Sequence, residues 1–128
     1  MNKYKGIHLI ADLVELPDFA LKDPEVWIEG FTKVIKNLDI RLIKKESYVF
    51  SPPYELGFTA FILLDSSHFS IHAYAREKIA AIDIFICKKV DITSVLIKLL
   101  NAMNLSESNI GASQLVKRFI TNGEKNEQ

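Results

Sequence analysis

Two strand-like segments separated by four residues constrain the fold of this chain more than any other feature. Side chains of a β-strand alternate between its two faces, so four polar residues of the first segment should share one side: Ser66, His68, Ser70 and His72. The second segment runs from Ile79 to the only cysteine, Cys87. The short stretch 75–78 can close a β-hairpin between them.

A connection of this length also fixes how the two strands pair. For a three- to five-residue loop, the numbers of paired residues should sum to about 153 or 154. That register sets Cys87 opposite Ser66 or Ser67, and Asp83 near Ser70. Hydroxyls, imidazoles and a thiol are therefore predicted to converge within a few ångströms on one hairpin, and such a cluster suggests catalytic chemistry.

Size and charge narrow the class of protein. A chain of 128 residues is expected to form one domain. Its 16 basic and 16 acidic side chains balance, which disfavours nucleic acid and anionic lipid as partners. A single cysteine cannot form an internal disulfide, which fits a reducing, cytoplasmic location. Asp12 and Glu15 interrupt the first apolar stretch, so neither a signal peptide nor a membrane span is expected.

Periodicity and turn residues divide the remaining chain into further elements. Strands are predicted at 6–14, 39–50, 58–64 and 110–120, and helices are predicted to begin after the N-caps Asp23 and Asp91. Segment 58–64 is almost continuously apolar, which predicts a central strand covered on both faces. The order β-α-β-β-β-β-α-β predicts an α+β two-layer sandwich, an antiparallel sheet with two helices on one face. Residues 1–120 form the predicted domain, and 121–128 a flexible tail.

Three segments resemble the small prokaryotic S-adenosylmethionine decarboxylases. They are Gly6-Ile-His-Leu-Ile-Ala-Asp-Leu13, Ser67-His-Phe-Ser-Ile-His72 and Ala80-Ala-Ile-Asp-Ile-Phe-Ile-Cys87. The resemblance spans about residues 5–118 in the family's order, with its spacing between histidine and cysteine. It implies an S-adenosylmethionine decarboxylase-like fold and a proenzyme that makes its own pyruvoyl cofactor.

The resemblance also implies a role for each matching residue. The chain would cut itself between Ser66 and Ser67, and Ser67 would become the pyruvoyl group, whose ketone forms a Schiff base with the substrate amine and accepts electrons as CO₂ leaves. His72 matches the histidine that takes a proton during self-processing. Cys87 matches the cysteine that protonates the product carbon, and Thr59 matches a serine that assists processing.

Substrate binding is where the chain departs from the family pattern. Phe50 matches the phenylalanine that stacks on the base, and Tyr74 replaces a tryptophan that holds the nucleoside. Arg76 stands where the family has a carboxylate that binds ribose, and Glu77 follows one position later. Ser66 replaces the usual glutamate before the cleavage serine, but its carbonyl is attacked through the backbone, so processing can be retained.

The expected function is therefore decarboxylation of S-adenosylmethionine for polyamine (spermidine) synthesis, by a homodimer of cleaved protomers with sites near the dimer interface. One alternative is a pyruvoyl-dependent arginine or ornithine decarboxylase, in which Glu77 or Glu55 meets the substrate cation. Another is an unprocessed, non-catalytic paralogue that binds a small molecule or a partner subunit.

No metal site is predicted. His8 and His68 show no metal-like pairing with Cys87 in the sequence and are interpreted as structural or supporting residues. Asp12 and Asp83 both lie in family-like segments. Asp83 is a candidate for fixing the hairpin, and a solvated or capping carboxylate is the equal alternative.

Overall fold

The computed structural model describes residues 2–3, 5–53, 56–119 and 121–122. Its strands are β1 (Asn2–Lys3), β2 (Gly6–Leu13), β3 (Leu42–Val49), β4 (Gly57–Leu64), β5 (His68–Tyr74), β6 (Ile79–Ile86), β7 (Ile110–Arg118) and β8 (Thr121–Asn122). Its helices are α1 (Phe19–Lys22), α2 (Pro24–Ile35) and α3 (Ile92–Ala102), and a 3₁₀ turn covers Glu107–Asn109. Within these residues, none of the helices has the length and apolar character needed to cross a membrane.

Six strands form one antiparallel sheet in the order β3-β4-β5-β6-β2-β7. Strand β2 comes early in the chain but lies between β6 and β7, so segments far apart in sequence become neighbours. The short strands β1 and β8 pair separately, which places Thr121 and Asn122 of the predicted tail against Asn2 and Lys3. Residues 123–128 of that tail lie outside the described residues. The predicted α+β sandwich with an antiparallel sheet is confirmed.

Both long helices begin where the sequence predicts. The Asp23 carboxylate accepts a hydrogen bond from the Glu25 N–H at 3.0 Å, and proline occupies the first helical position, where its missing N–H costs nothing. The Asp91 carboxylate accepts from the Ser94 N–H at 3.2 Å in the same way. These caps fix the residue at which each helix begins.

The short helix α1 is an addition to the predicted elements. It packs against α2, because the Trp27 indole N–H donates to the Ala20 carbonyl at 2.8 Å and both residues are buried. Four residues are too few to show helical periodicity. The helical layer therefore contains three helices rather than two.

The core lies between this layer and one face of the sheet. Phe31 of α2 stacks on Phe69 of β5 with ring centroids 4.4 Å apart and planes 18° apart, and both rings are fully buried. Burial of a side chain of this size stabilises the fold by about 1.5–3 kcal/mol. The inward residues of β2 are likewise buried: Ile7, Leu9, Ala11 and Leu13.

The opposite face of the sheet, called the outer face below, is open in the single chain. Phe61 and Leu63 of β4 point to it and are 39% and 42% exposed. The prediction that β4 is covered on both faces is therefore wrong for one chain taken alone. The candidate site lies on this outer face.

Candidate active site

The Ser66–Ser67 bond lies in the tight turn that joins β4 to β5. The Leu64 N–H donates to the Ser67 carbonyl at 3.0 Å and closes the turn. The Asp65 N–H donates to the Arg41 carbonyl at 3.0 Å and ties the turn to the segment before β3. The bond predicted to be cut is thus held by the backbone at the end of two neighbouring strands.

Ser67 and Cys87 meet at this turn, as the hairpin register predicts. The Cys87 N–H donates to the Ser67 hydroxyl oxygen at 3.0 Å, and Ser67 is only 7% exposed. Ser70 lies opposite Asp83, which confirms the predicted pairing. Within the described part of the chain, the Ser67 hydroxyl accepts this one hydrogen bond and donates none.

An open pocket of about 410 Å³ lies at the same turn. Its walls are four apolar and four polar residues: Phe61, Leu63, Phe85, Phe119, Ser66, Ser67, His68 and Arg118. A pocket of similar volume between α2 and α3 has Glu29 and Lys33 as its charged lining residues and lies on the other side of the sheet. The outer-face pocket is the one that contains the candidate reacting groups.

Thr59 and His72 form a second group. The Thr59 hydroxyl and the His72 Nδ1 are 2.9 Å apart, within hydrogen-bonding distance, and the two residues are paired across β4 and β5. His72 is four residues beyond His68 along β5, which corresponds to ~13 Å at 3.3 Å per residue. The prediction that all these groups converge within a few ångströms is therefore wrong for His72. Side chains on one face of a strand point in the same direction, but they lie at different distances along the strand.

The outer face consequently carries two groups of candidate residues. We call Ser66, Ser67 and Cys87 the Ser67 end, and Thr59, His72 and Tyr74 the His72 end. All three residues of the His72 end lie where β4 and β5 approach the β5–β6 turn.

Two predicted substrate-binding residues flank Gly57 near the His72 end. Tyr74 is paired with Gly57 across the strands, and the Phe50 N–H donates to the Gly57 carbonyl at 2.9 Å. Gly57 has φ of +146°, and a Cβ there would lie 1.9 Å from the Ala73 carbonyl oxygen. Only glycine allows this close approach of β4 to β5, so Gly57 fixes the distance between Phe50 and Tyr74.

Arg76 and Glu77 both lie in the turn at 75–78 and are exposed. Neither belongs to a strand, so the alternation of strand faces does not decide which of the two turns toward a ligand. The turn adjoins the His72 end, near Tyr74. Glu55, the other carboxylate considered for a substrate cation, lies outside the described residues.

A cluster of His8, His68 and Asp83 joins three adjacent strands on the outer face. Both His8 Nε2 and His68 Nε2 contact the same Asp83 oxygen, the latter at 3.3 Å. Arg118 approaches His8 Nδ1 at 3.4 Å. The ligand atoms of the three residues lie within 4.8 Å of one another, close enough for a shared metal ion.

Sequence reasoning missed this cluster because it depends on the pairing of β2 with β6, which are far apart in the chain. The available signal was the alternation that places His8 and His68 on polar strand faces. Asp12 is exposed on the same face of β2 and takes no part in the cluster.

Comparisons with known proteins identify the family of the chain. The family model described as S-adenosylmethionine decarboxylase matches residues 7–114. The chain belongs to that family. An S-adenosylmethionine decarboxylase proenzyme from Clostridium botulinum (strain Hall) is 33% identical over 87 residues, which cover 68% of this chain and 72% of the relative. A second proenzyme of this name, from Sulfurihydrogenibium sp., is 33% identical over 91 residues, covering 68% of this chain and 63% of the relative.

A solved structure gives the same answer for the fold. The crystal structure of the adenosylmethionine decarboxylase from Aquifex aeolicus VF5 superimposes with a TM-score of 0.76, covering 94% of this chain and 96% of that one, at 24% identity. S-adenosylmethionine decarboxylases are carboxy-lyases, which places this family member in that enzyme class. Arg118 lies beyond the matched residues 7–114.

Proposed function

We propose that the protein is a self-processing, pyruvoyl-dependent decarboxylase that acts on S-adenosylmethionine in polyamine (spermidine) biosynthesis. The matched relatives are named as proenzymes of S-adenosylmethionine decarboxylase. The observation that carries the proposal is the Ser67 hydroxyl, held by the Cys87 N–H at 3.0 Å in a tight turn beside an open pocket.

The groups at the turn fit generation of a pyruvoyl group at residue 67. The Ser67 hydroxyl attacks the Ser66 carbonyl and an ester replaces the peptide bond. Elimination releases the carboxylate of Ser66 and leaves dehydroalanine at residue 67, and hydrolysis of the dehydroalanine releases ammonia and leaves the pyruvoyl group. When present, that group supplies a ketone that takes the substrate amine and accepts electrons as CO₂ leaves. Within the described residues, the Ser67 hydroxyl donates a hydrogen bond to no acceptor, which favours its attack on the Ser66 carbonyl.

In this proposal, Cys87 is the proton donor to the product carbon. The Cys87 backbone N–H donates to the Ser67 hydroxyl, so the Cys87 thiol belongs to a residue in direct contact with the reacting residue. The thiol is free and half-buried. A thiol is a much stronger acid than a serine hydroxyl, which suits it to general acid catalysis.

His72 serves the Ser67 end of a second copy in this proposal. Within one chain it is ~13 Å from His68, well beyond the roughly 3 Å needed for direct proton transfer. The outer face exposes large apolar side chains of several strands: Ile10 (43%), Phe61 (39%), Leu63 (42%) and Val116 (36%). A two-fold axis through stacked outer faces would cover these side chains and bring the His72 end of each copy to the Ser67 end of the other. These features support a homodimer with two composite sites.

Substrate contacts are assigned to the His72 end of the sheet. Phe50 and Tyr74, set by Gly57, offer aromatic surfaces for the adenine base. Glu77 can accept hydrogen bonds from both ribose hydroxyls, whereas the Arg76 guanidinium can only donate. Glu77 is therefore the carboxylate assigned to the ribose, with Arg76 turned to solvent.

Intact-mass analysis under denaturing conditions tests the processing step. Two fragments, 1–66 and 67–128, are expected, and Edman sequencing of the second should be blocked by the pyruvoyl group. A single uncut chain after long incubation would instead establish the unprocessed paralogue.

A CO₂-release assay tests the substrate, with S-adenosylmethionine, arginine and ornithine compared side by side. Release from S-adenosylmethionine is expected. Release confined to arginine or ornithine would overturn the substrate assignment while leaving the pyruvoyl chemistry in place.

A further inference from the structure

His68 is the histidine nearest to the bond that is proposed to be cut. It follows Ser67 directly and lines the same pocket as Ser66 and Ser67. Its ring stacks on Phe61 with centroids 5.6 Å apart and planes 20° apart. The His68 Nε2 forms a hydrogen bond with Asp83, and among the described residues the His68 Nδ1 has no hydrogen-bond partner. The ring is thus fixed by packing and by one nitrogen, while the other nitrogen is free.

The neighbours of His68 determine which of its nitrogens carries the proton. A guanidinium can only donate, so the contact from Arg118 makes His8 Nδ1 an acceptor and leaves the His8 proton on Nε2, which donates to Asp83. Asp83 is a carboxylate and accepts from His68 Nε2–H as well. His68 Nδ1 then carries no proton and has a lone pair that can accept one. Because both Nε2 atoms carry protons, the cluster is better suited to orienting His68 than to binding a metal ion.

We propose that His68 is the base for the first step of self-processing and that Asp83 and His8 are its positioning residues. Nδ1 takes the Ser67 hydroxyl proton as the oxygen bonds to the Ser66 carbonyl carbon. The same proton passes to the Ser67 nitrogen as the carbon–nitrogen bond breaks, which leaves an ester and a free amine. No proton is gained or lost overall. This inference rests on the proposed self-processing function and leaves the later elimination step to His72.

Three other polar groups that could reach this bond do not suit this step. Arg118 can only donate, and the backbone N–H of Cys87 donates to the attacking oxygen. His72 of the same chain is ~13 Å away along the strand, and His72 of a second copy is assigned to the later elimination step. A base oriented by a carboxylate beside a serine is a recurrent arrangement for activating a hydroxyl nucleophile.

Hydroxylamine trapping separates the two histidines, because it cleaves the ester that forms before elimination. His68→Ala should form the ester at least about 100-fold more slowly, so that neither cleaved chain nor hydroxylamine-sensitive chain accumulates. Added imidazole should restore part of the rate, which a purely structural role would not allow. The matched control His72→Ala should accumulate the hydroxylamine-sensitive ester.

His68→Ala protein that cleaves at the wild-type rate, or that accumulates the ester, would overturn the inference. Failure of the wild-type chain to cleave would instead overturn the proposed function. Long-range ¹H–¹⁵N spectra of uncleavable Ser67→Ala protein test the inference independently of cleavage. They should show the His68 proton on Nε2, and a proton on Nδ1 would contradict the assignment.

Asp83→Asn tests the positioning role. It should slow ester formation about 10- to 100-fold and give a mixture of His68 tautomers in the Ser67→Ala background. Asp12→Asn, which alters an exposed carboxylate of the same face outside the cluster, should change neither quantity. A lower melting temperature for Asp83→Asn with an unchanged tautomer and rate would show that the cluster is only structural.

Discussion

The Ser67 end and the His72 end lie along the same strand, β5, but their polar groups are held differently. At the Ser67 end, a nearly buried hydroxyl is fixed by a backbone N–H, and the turn around it is closed by two more backbone hydrogen bonds. At the His72 end, a single bond between two side chains joins Thr59 to an exposed imidazole. The hydroxyl of the first end is held by backbone groups of its own chain, whereas the second end presents an exposed imidazole on the outer face.

Ser67→Ala should have the largest effect and should abolish cleavage entirely, because the attacking oxygen is removed. Only the hydrogen bond from the Cys87 N–H is lost with it, so the fold should remain. Ser66→Ala is the matched control and should still be cleaved, since only its backbone carbonyl takes part. Intact mass measures both. Cleavage of Ser67→Ala at the same bond would show that the nucleophile is misassigned.

Mixing two inactive chains should restore processing if the two ends act across a dimer. Ser67→Ala lacks the nucleophile but keeps its His72 end, and His72→Ala has the reverse defect. Random pairing at equal amounts makes about half of the dimers mixed, each with one complete site. About half of the His72→Ala chains should then become fully processed on co-expression, with none processed alone. Mass spectrometry distinguishes the two chains. If co-expression restores no processing, both ends act within the site of one protomer.

Cys87→Ser should separate processing from turnover. The backbone N–H that contacts Ser67 is retained, so cleavage should proceed, whereas a serine hydroxyl is too weak an acid to protonate the product carbon efficiently. Turnover should fall about 10²- to 10⁴-fold. The measurement is CO₂ release per cleaved chain. Normal turnover would mean that Cys87 is simply a half-buried residue after β6.

Glu77→Gln should give the smallest effect, about a 10-fold rise in KM for S-adenosylmethionine, the size of one lost charge-assisted hydrogen bond. The neighbouring exposed variant Arg76→Gln should leave KM unchanged or lower it, because removing a cation reduces repulsion of the sulfonium. Steady-state kinetics with both variants decides which side chain of the turn meets the ligand. An effect of Arg76→Gln alone would reverse the assignment.

The sequence predicts those parts of the molecule that depend on local signals. The caps Asp23 and Asp91 and the register that joins Ser67 to Cys87 are each specified within about twenty residues, and the structure confirms them. The separation of His72 from Ser67 also follows from the rise per residue along a strand, whereas alternation alone indicates only that side chains share a face.

The remaining features depend on long-range pairing. The cluster of His8, His68 and Asp83 requires β2 to lie beside β6, and no local pattern indicates that neighbour. The exposure of Phe61 and Leu63 was missed because an apolar run has the same composition whether a strand is covered by its own chain or by another surface. The sequence also places Arg76 and Glu77 together without indicating which one faces a ligand, since a four-residue turn has no alternation of faces.

The strand order β3-β4-β5-β6-β2-β7 has a consequence for a chain cut at Ser66–Ser67. The first fragment would supply β2, β3 and β4, and the second β5, β6 and β7, so β2 of one polypeptide is inserted between two strands of the other. The fragments would stay interlocked in the native state, and neither could complete the sheet alone. Once denatured, they would have to find each other by diffusion. Refolding of the mature protein would therefore be a bimolecular reaction whose yield rises with concentration, while the uncut precursor folds as a single chain.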